Sequence, residues 1–183
     1  FGITRFSLFN RNETYLPVFT LIATALLGLV DDFLNIRGNG SKGLRVKPKF
    51  LWLTLFCILG GYWFHYKLGF DSFHIPGLGN FTIGAWYILL FAFIIVASAN
   101  AVNITDGLDG LSCGLLMICL IVFIVISASM LDTPLSMFIA LWLGALIAYL
   151  YFNVWPARLF LGDGGALAFG AMLAVVGLLT GKI

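Results

Sequence analysis

The residues of this chain best suited to chemistry are aspartates, and they fall in three clusters. Asp31-Asp32 follow directly on an apolar run ending at Val30. Asn100-Ala-Val-Asn103-Ile-Thr105-Asp106-Gly107-Leu-Asp109-Gly110 sets a polar group at every third position, and Gly162-Asp163-Gly164-Gly165 places one acid among glycines. Two adjacent carboxylates repel unless a cation or a proton compensates them. A hard, oxygen-seeking ion such as Mg2+ suits the pair, above all where substrate phosphates complete its shell. The plainer reading of Asp31-Asp32 is a solvated helix end, but acids are disfavoured at the negative C-terminal end of a helix dipole.

In the second cluster, neighbours three apart share a helical face but drift by about 60° per step, so one straight helix cannot present all four polar positions together. Gly107 and Gly110 imply that the backbone turns there. The expectation is a polar pocket at the membrane interface, with amides able to read a nucleobase or sugar and carboxylates able to hold a metal or a hydroxyl. An N-cap formed by Asp106 or Asp109 on the next helix is expected as well, though it would occupy one acid and leave the others idle. In the third cluster, glycines flanking Asp163 let the backbone approach a ligand, and the start of the next helix favours phosphate. Alone, Asp-Gly also marks an ordinary turn.

The elements that must carry these clusters are membrane helices. Apolar residues make up 61% of the chain and charged residues 10%, with mean hydropathy +1.05, whereas soluble domains carry roughly 25% charged residues. A bilayer core about 30 Å thick needs about twenty helical residues. That length selects six spans: Leu16–Val30, Phe50–Tyr66, Phe81–Ala99, Leu111–Leu131, Pro134–Phe152 and Gly165–Thr180. The fold class expected is all-α, a polytopic membrane protein forming a single transmembrane catalytic domain over residues 1–183. Both ends look cut, as if from a larger helical bundle.

A chain that crosses at every span returns to the same face after two crossings. The connections Asp31–Lys49, Asn100–Gly110 and Asn153–Gly164 therefore share one side, and they hold Asp31, Asp32, Asp106, Asp109 and Asp163, five of the eight acidic residues. The same side holds Arg37, Lys42, Arg45, Lys47, Lys49 and Arg158, so the positive-inside rule puts it in the cytoplasm, with Arg5 and Arg11 counting against. The basic loop after Asp32 either attracts anionic lipid or clamps a diphosphate beside the metal. His65 and His74 fall on the opposite side and are set aside as catalysts. Residues Phe73–Thr82 carry the glycines and proline of a small hairpin on that opposite face. Cys57, Cys113 and Cys119 lie in apolar runs and read as small buried hydrophobes. The five tryptophans read mainly as interfacial anchors. A net charge of +2 gives no field directed at nucleic acid.

At this point the chain resembles the polyprenyl-phosphate N-acetylhexosamine-1-phosphate transferase superfamily. The resemblance rests on GLVDDF at Gly28–Phe33, SKGL at Ser41–Leu44, NAVNITDGLDGL at Asn100–Leu111 and FNVWPARLFLGDGGALAFG at Phe152–Gly170. Val102-Asn103-Ile104-Thr105 is more similar to the phospho-N-acetylmuramoyl-pentapeptide transferase branch than to the N-acetylglucosamine relatives. The resemblance implies transfer of phospho-N-acetylmuramoyl-pentapeptide from UDP-N-acetylmuramoyl-pentapeptide to undecaprenyl phosphate, with release of UMP, in the bacterial cytoplasmic membrane. It implies catalytic roles for Asp31, Asp32 and Asp163, with Mg2+ on Asp163 and Asp32. It implies substrate contacts from Lys42, Asn100, Asn103, Asp106, Asp109 and Asn153. The partners it implies are the two substrates, membrane lipid and a second copy in a homodimer, and no nucleic acid.

The chain departs from the family pattern at Asn35, where a lysine is usual, and at Ala166, where a serine is usual. The family's N-terminal helices and its histidine-rich cytoplasmic loop have no counterpart in these residues, so activity is expected only from a longer parent with two to four further helices. The alternatives are a UDP-N-acetylglucosamine:undecaprenyl-phosphate transferase and, in another class, a transporter. A transporter predicts acids near span centres, whereas these lie at span ends. A purely structural membrane protein has no use for clustered acids and glycines.

Overall fold

The structure is a computed structural model that describes residues 12–37, 46–75 and 79–181. Among the described residues six α-helices carry the fold: α1 (Asn12–Arg37), α2 (Val46–Leu68), α3 (Tyr87–Thr105), α4 (Leu111–Ser129), α5 (Thr133–Asn153) and α6 (Gly162–Thr180). Between α2 and α3 an antiparallel hairpin pairs β1 (Ser72–Ile75) with β2 (Gly79–Thr82), in the register Ser72 opposite Thr82. The hairpin expected near Phe73–Thr82 is therefore present. It takes Phe81 and Thr82 out of the helix expected to start there, and α3 begins at Tyr87 after a short 3-10 turn, Gly84–Trp86.

Five stretches among the described residues are long and apolar enough to cross a bilayer: Tyr15–Leu34, Gly84–Thr105, Leu111–Ser129, Thr133–Asn153 and Gly162–Thr180. The sixth expected span, Phe50–Tyr66, is helical throughout as part of the 23-residue α2, whose basic residues lie towards its ends. Large apolar side chains such as Leu26, Phe93, Ile118, Val125 and Ile147 point outward. Helices apolar on all sides suit a lipid surrounding, where an outward leucine costs nothing.

Helix α6 is the centre of the bundle. More than half of its span (56%) is buried, against 17% for α5. One face packs Leu167, Ala171 and Val175 into a core with Phe64, Phe91 and Ile95 of α2 and α3. The other packs Ala166, Met172 and Val176 into a second core with Leu116, Leu120, Ile139 and Leu146 of α4 and α5. Without a hydrophobic drive between helices in lipid, small residues that admit close backbones supply the packing. Gly28 of α1 lies against the backbone of Asp163 and Gly164, where a Cβ would collide. Gly170 of α6 lies as tightly against Ser98 and Ala99 of α3, and the Ser98 hydroxyl donates to the Gly170 carbonyl at 2.7 Å. Trp142, expected as an interfacial anchor, packs edge-on against Phe169 of α6, with ring centroids 4.5 Å apart.

Candidate active site

Three of the helix boundaries differ from expectation in ways that shape the site. Helix α1 does not stop at Val30 but continues to Arg37, so Asp31 and Asp32 sit inside a helix instead of at its mouth. Successive side chains on a helix diverge by about 100°, and the two acids accordingly separate: Asp31 is buried (3% exposed) while Asp32 is half-buried. Helix α3 continues to Thr105, so Asn100 and Asn103 belong to its last turns and only Asp106–Gly110 form the connection. Helix α6 begins at Gly162, which puts Asp163 in its first turn.

The acids inside α1 are tolerated because α6 meets them. The Asp32 carboxylate accepts from the backbone N–H of Asp163 (3.4 Å) and of Gly164 (3.1 Å). Free N–H groups at a helix start carry the positive end of its dipole, and an aspartate there is a cap. These N–H groups were expected to favour phosphate; Asp32, from a different helix, takes that place. Gly162 has φ +63°, and a Cβ there would stand 3.0 Å from Asp32 Oδ2, so a side chain would be both strained and crowded.

The second cluster ties to the same turn. Asp106, just past the end of α3, accepts from the Gly162 N–H at 3.2 Å, and Asn103 Nδ2 donates to Asp163 Oδ1 at 2.7 Å. Asp109 Oδ2 accepts from the Ala157 N–H at 2.9 Å. Neither acid caps α4, as had been expected: the cap position is Gly110, left-handed at φ +73°, with no side-chain bond. The aspartates instead reach across to the connection between α5 and α6.

Asp32, Asp106 and Asp163, 131 residues apart at their widest pairing, thus meet around residues 162–164 at one end of the bundle. Asp109 lies beside them through Ala157. Asn100 lies about one turn before Asn103 on α3, and its Nδ2 donates to the Val96 carbonyl of the same helix at 2.7 Å. Asn153, expected to touch substrate, is 1% exposed, and both ends of its amide are engaged within the chain. Lys42 lies outside the described residues. His65 remains at the hairpin end of α2, with Nδ1 2.9 Å from the Phe70 carbonyl.

Asp106 sits in a partly desolvated place just past the end of α3. Burial pushes its pKa up, opposed by backbone N–H groups of Gly162 and Leu161. Its Oδ1 is buried and has no hydrogen-bond partner. A buried carboxylate oxygen without a donor carries a desolvation cost that a proton or a cation relieves. Among the described residues no three His, Cys, Asp or Glu side chains form a ready-made metal cage, because several of the acids are turned towards backbone N–H groups. That donor set still fits Mg2+, which is commonly held by one or two carboxylates with water and substrate phosphates. Each carboxylate oxygen also has two lone pairs, so accepting one N–H leaves a site for an ion.

The sequence pattern of glycosyl transferase family 4 matches residues 15–181, which includes every acid of the site. This chain belongs to that family. Among curated relatives, the phospho-N-acetylmuramoyl-pentapeptide-transferase of Geobacillus sp. (strain WCH70) is 36% identical over 170 residues, covering 92% of this chain and 52% of its own. The protein of the same name from Chloroflexus aggregans is 38% identical over 182 residues, covering 94% and 50%. That from Clostridium novyi is 31% identical over 177 residues, covering 91% and 52%. The chain spans about half the length of these relatives.

What sequence reasoning missed is the backbone half of the site: the N–H groups of Ala157, Gly162, Asp163 and Gly164, and the Gly28 contact that brings them to Asp32. The available signal was the small residue three positions before Asp31 in GLVDD, set against the glycines of GDGG.

Proposed function

We propose that the protein carrying this chain transfers phospho-N-acetylmuramoyl-pentapeptide from UDP-N-acetylmuramoyl-pentapeptide to undecaprenyl phosphate. The products are UMP and a lipid-linked peptidoglycan precursor. The observation that carries this reading is the gathering of Asp32, Asp106 and Asp163 around residues 162–164 at one end of a membrane bundle. The names of the relatives that match more than nine-tenths of the chain support the choice of sugar. The site end also carries Arg37 and Arg158, which supports a cytoplasmic orientation.

The chemistry asked of the residues is positional. A phosphate monoester is already ionised at neutral pH, so the acceptor attacks the donor phosphorus directly and needs little help from a base. Asp163, oriented by Asn103, and Asp32, anchored on the start of α6, are the proposed Mg2+ ligands, and the partnerless oxygen of Asp106 adds a third hard donor nearby. Bound Mg2+ would neutralise the diphosphate of the donor. Lys42 is proposed as a basic contact to the same phosphates. Holding the two phosphate groups in line accounts for most of the rate enhancement to be expected here.

The test is UMP release by membranes containing the intact protein, given UDP-N-acetylmuramoyl-pentapeptide or UDP-N-acetylglucosamine together with undecaprenyl phosphate. Release with the first donor alone, dependent on Mg2+, is the expected result. Release with the second donor alone, or with neither, overturns the proposal.

A further inference from the structure

We infer that Asn153 is a positioning residue whose side-chain amide clamps the connection between α3 and α4 to the connection between α5 and α6. Asn153 is the last residue of α5. Its Oδ1 accepts from the Gly110 N–H at 3.1 Å, and its Nδ2 donates to the Leu159 carbonyl at 2.8 Å. One planar group thus joins the segment bearing Asp106 and Asp109 to the segment leading into Asp163. The task needs a donor and an acceptor on the same short side chain, which among uncharged residues of this size is the amide of asparagine.

A second donor reinforces the clamp. The Tyr149 hydroxyl, one turn earlier on α5, donates to the same Leu159 carbonyl at 3.1 Å. Asp109 and Ala157 make a further crossing between the two segments at 2.9 Å, but on the exposed side, where water competes for the bond. Asn153 is almost fully buried, so no solvent replaces its bonds when they are lost. The Gly110 bond also fixes a residue held at φ +73° at the start of α4. Loss of the amide would let the two segments shift relative to each other, and with them the distance between the Asp106 and Asp163 carboxylates. A displacement of about 1 Å in a positional catalyst costs on the order of a hundredfold in rate.

The kinetic consequence rests on the transferase reading, whereas the clamp itself does not. Asn153→Ala and Tyr149→Phe are made in the intact protein, and amide hydrogen exchange and UMP-release kinetics are measured on each. In Asn153→Ala, exchange is expected to quicken in peptides covering residues 106–112 and 154–164. Its kcat is expected to fall by about tenfold or more, with KM for the UDP-linked donor changed less than about twofold. In Tyr149→Phe, only residues 154–164 should exchange faster. Unchanged exchange in both segments overturns the clamp, as does a raised KM with kcat and exchange unaltered, which would mark Asn153 as a substrate contact. If Asn153→Ala fails to accumulate, Asn153→Ser decides: quicker exchange in both segments supports the clamp, and no change overturns it. A wild-type protein that releases no UMP removes the transferase reading and leaves the exchange result to judge the clamp.

Discussion

Gly28 of α1 and Gly164 of α6 pass back to back, close enough that a methyl group on Gly28 would overlap the Asp163–Gly164 backbone. This contact brings the Asp32 carboxylate, one turn further along α1, to the N–H groups of Asp163 and Gly164. Gly28→Ala is expected to push the helices apart at a cost of about 1–3 kcal/mol, read as a lower thermal midpoint in detergent. Gly114→Ala in α4, where a Cβ meets nothing within 4 Å, should be neutral or stabilising by up to about 1 kcal/mol. Equal midpoints for both variants would remove close packing as the role of Gly28.

Asp32→Ala removes the cap of α6 and should cost about 1–2 kcal/mol. Asp32→Asn keeps a neutral acceptor and should recover most of that stability while remaining impaired in UMP release. Full activity in Asp32→Asn would show that the charge of Asp32 serves the fold and not the reaction.

Asp163→Asn in the intact protein is expected to reduce Mg2+-dependent UMP release by about two to three orders of magnitude, with the thermal midpoint little changed because the asparagine preserves shape. Wild-type turnover in this variant would remove the metal assignment.

Asp106 makes stability depend on pH in a defined direction. Its folded pKa is raised above 3.8, the ordinary value, mainly by burial, so the folded chain holds its proton more tightly than the unfolded chain does. The associated stability is fully present below the unfolded pKa and is lost as pH rises through the folded pKa. The part of the midpoint's fall that Asp106 causes, starting near pH 4 and running upward, should disappear in Asp106→Asn. A pH profile unchanged by that substitution would contradict the assignment.

The helical class and the convergence of three distant segments were legible because both follow from coarse quantities. Apolar runs of bilayer length mark the candidate crossings, five of the six expected ones meeting that criterion among the described residues, and parity groups the connections by side. The helix ends were not legible from hydropathy, since it registers where lipid stops and not where backbone bonding stops. Helix α1 runs seven residues past Val30 because an acid inside it, Asp32, finds N–H donors on another helix. The partners of Asn153 were not legible either: the resemblance implies a substrate contact there, and only the fold shows that its amide also bonds Gly110 and Leu159.

The central place of α6 also bears on how such a protein is made. Chains are synthesised and fold from the N-terminus onward, so Asp32 emerges well over a hundred residues ahead of the N–H groups that receive it. Until α6 inserts between α1 and α3, the nascent bundle holds acids inside its helices without their α6 donors. Integration of this one helix is therefore the step at which Asp32 and Asp106 meet the backbone N–H groups of residues 162–164, and a ribosome stalled before residue 162 leaves those acids without them.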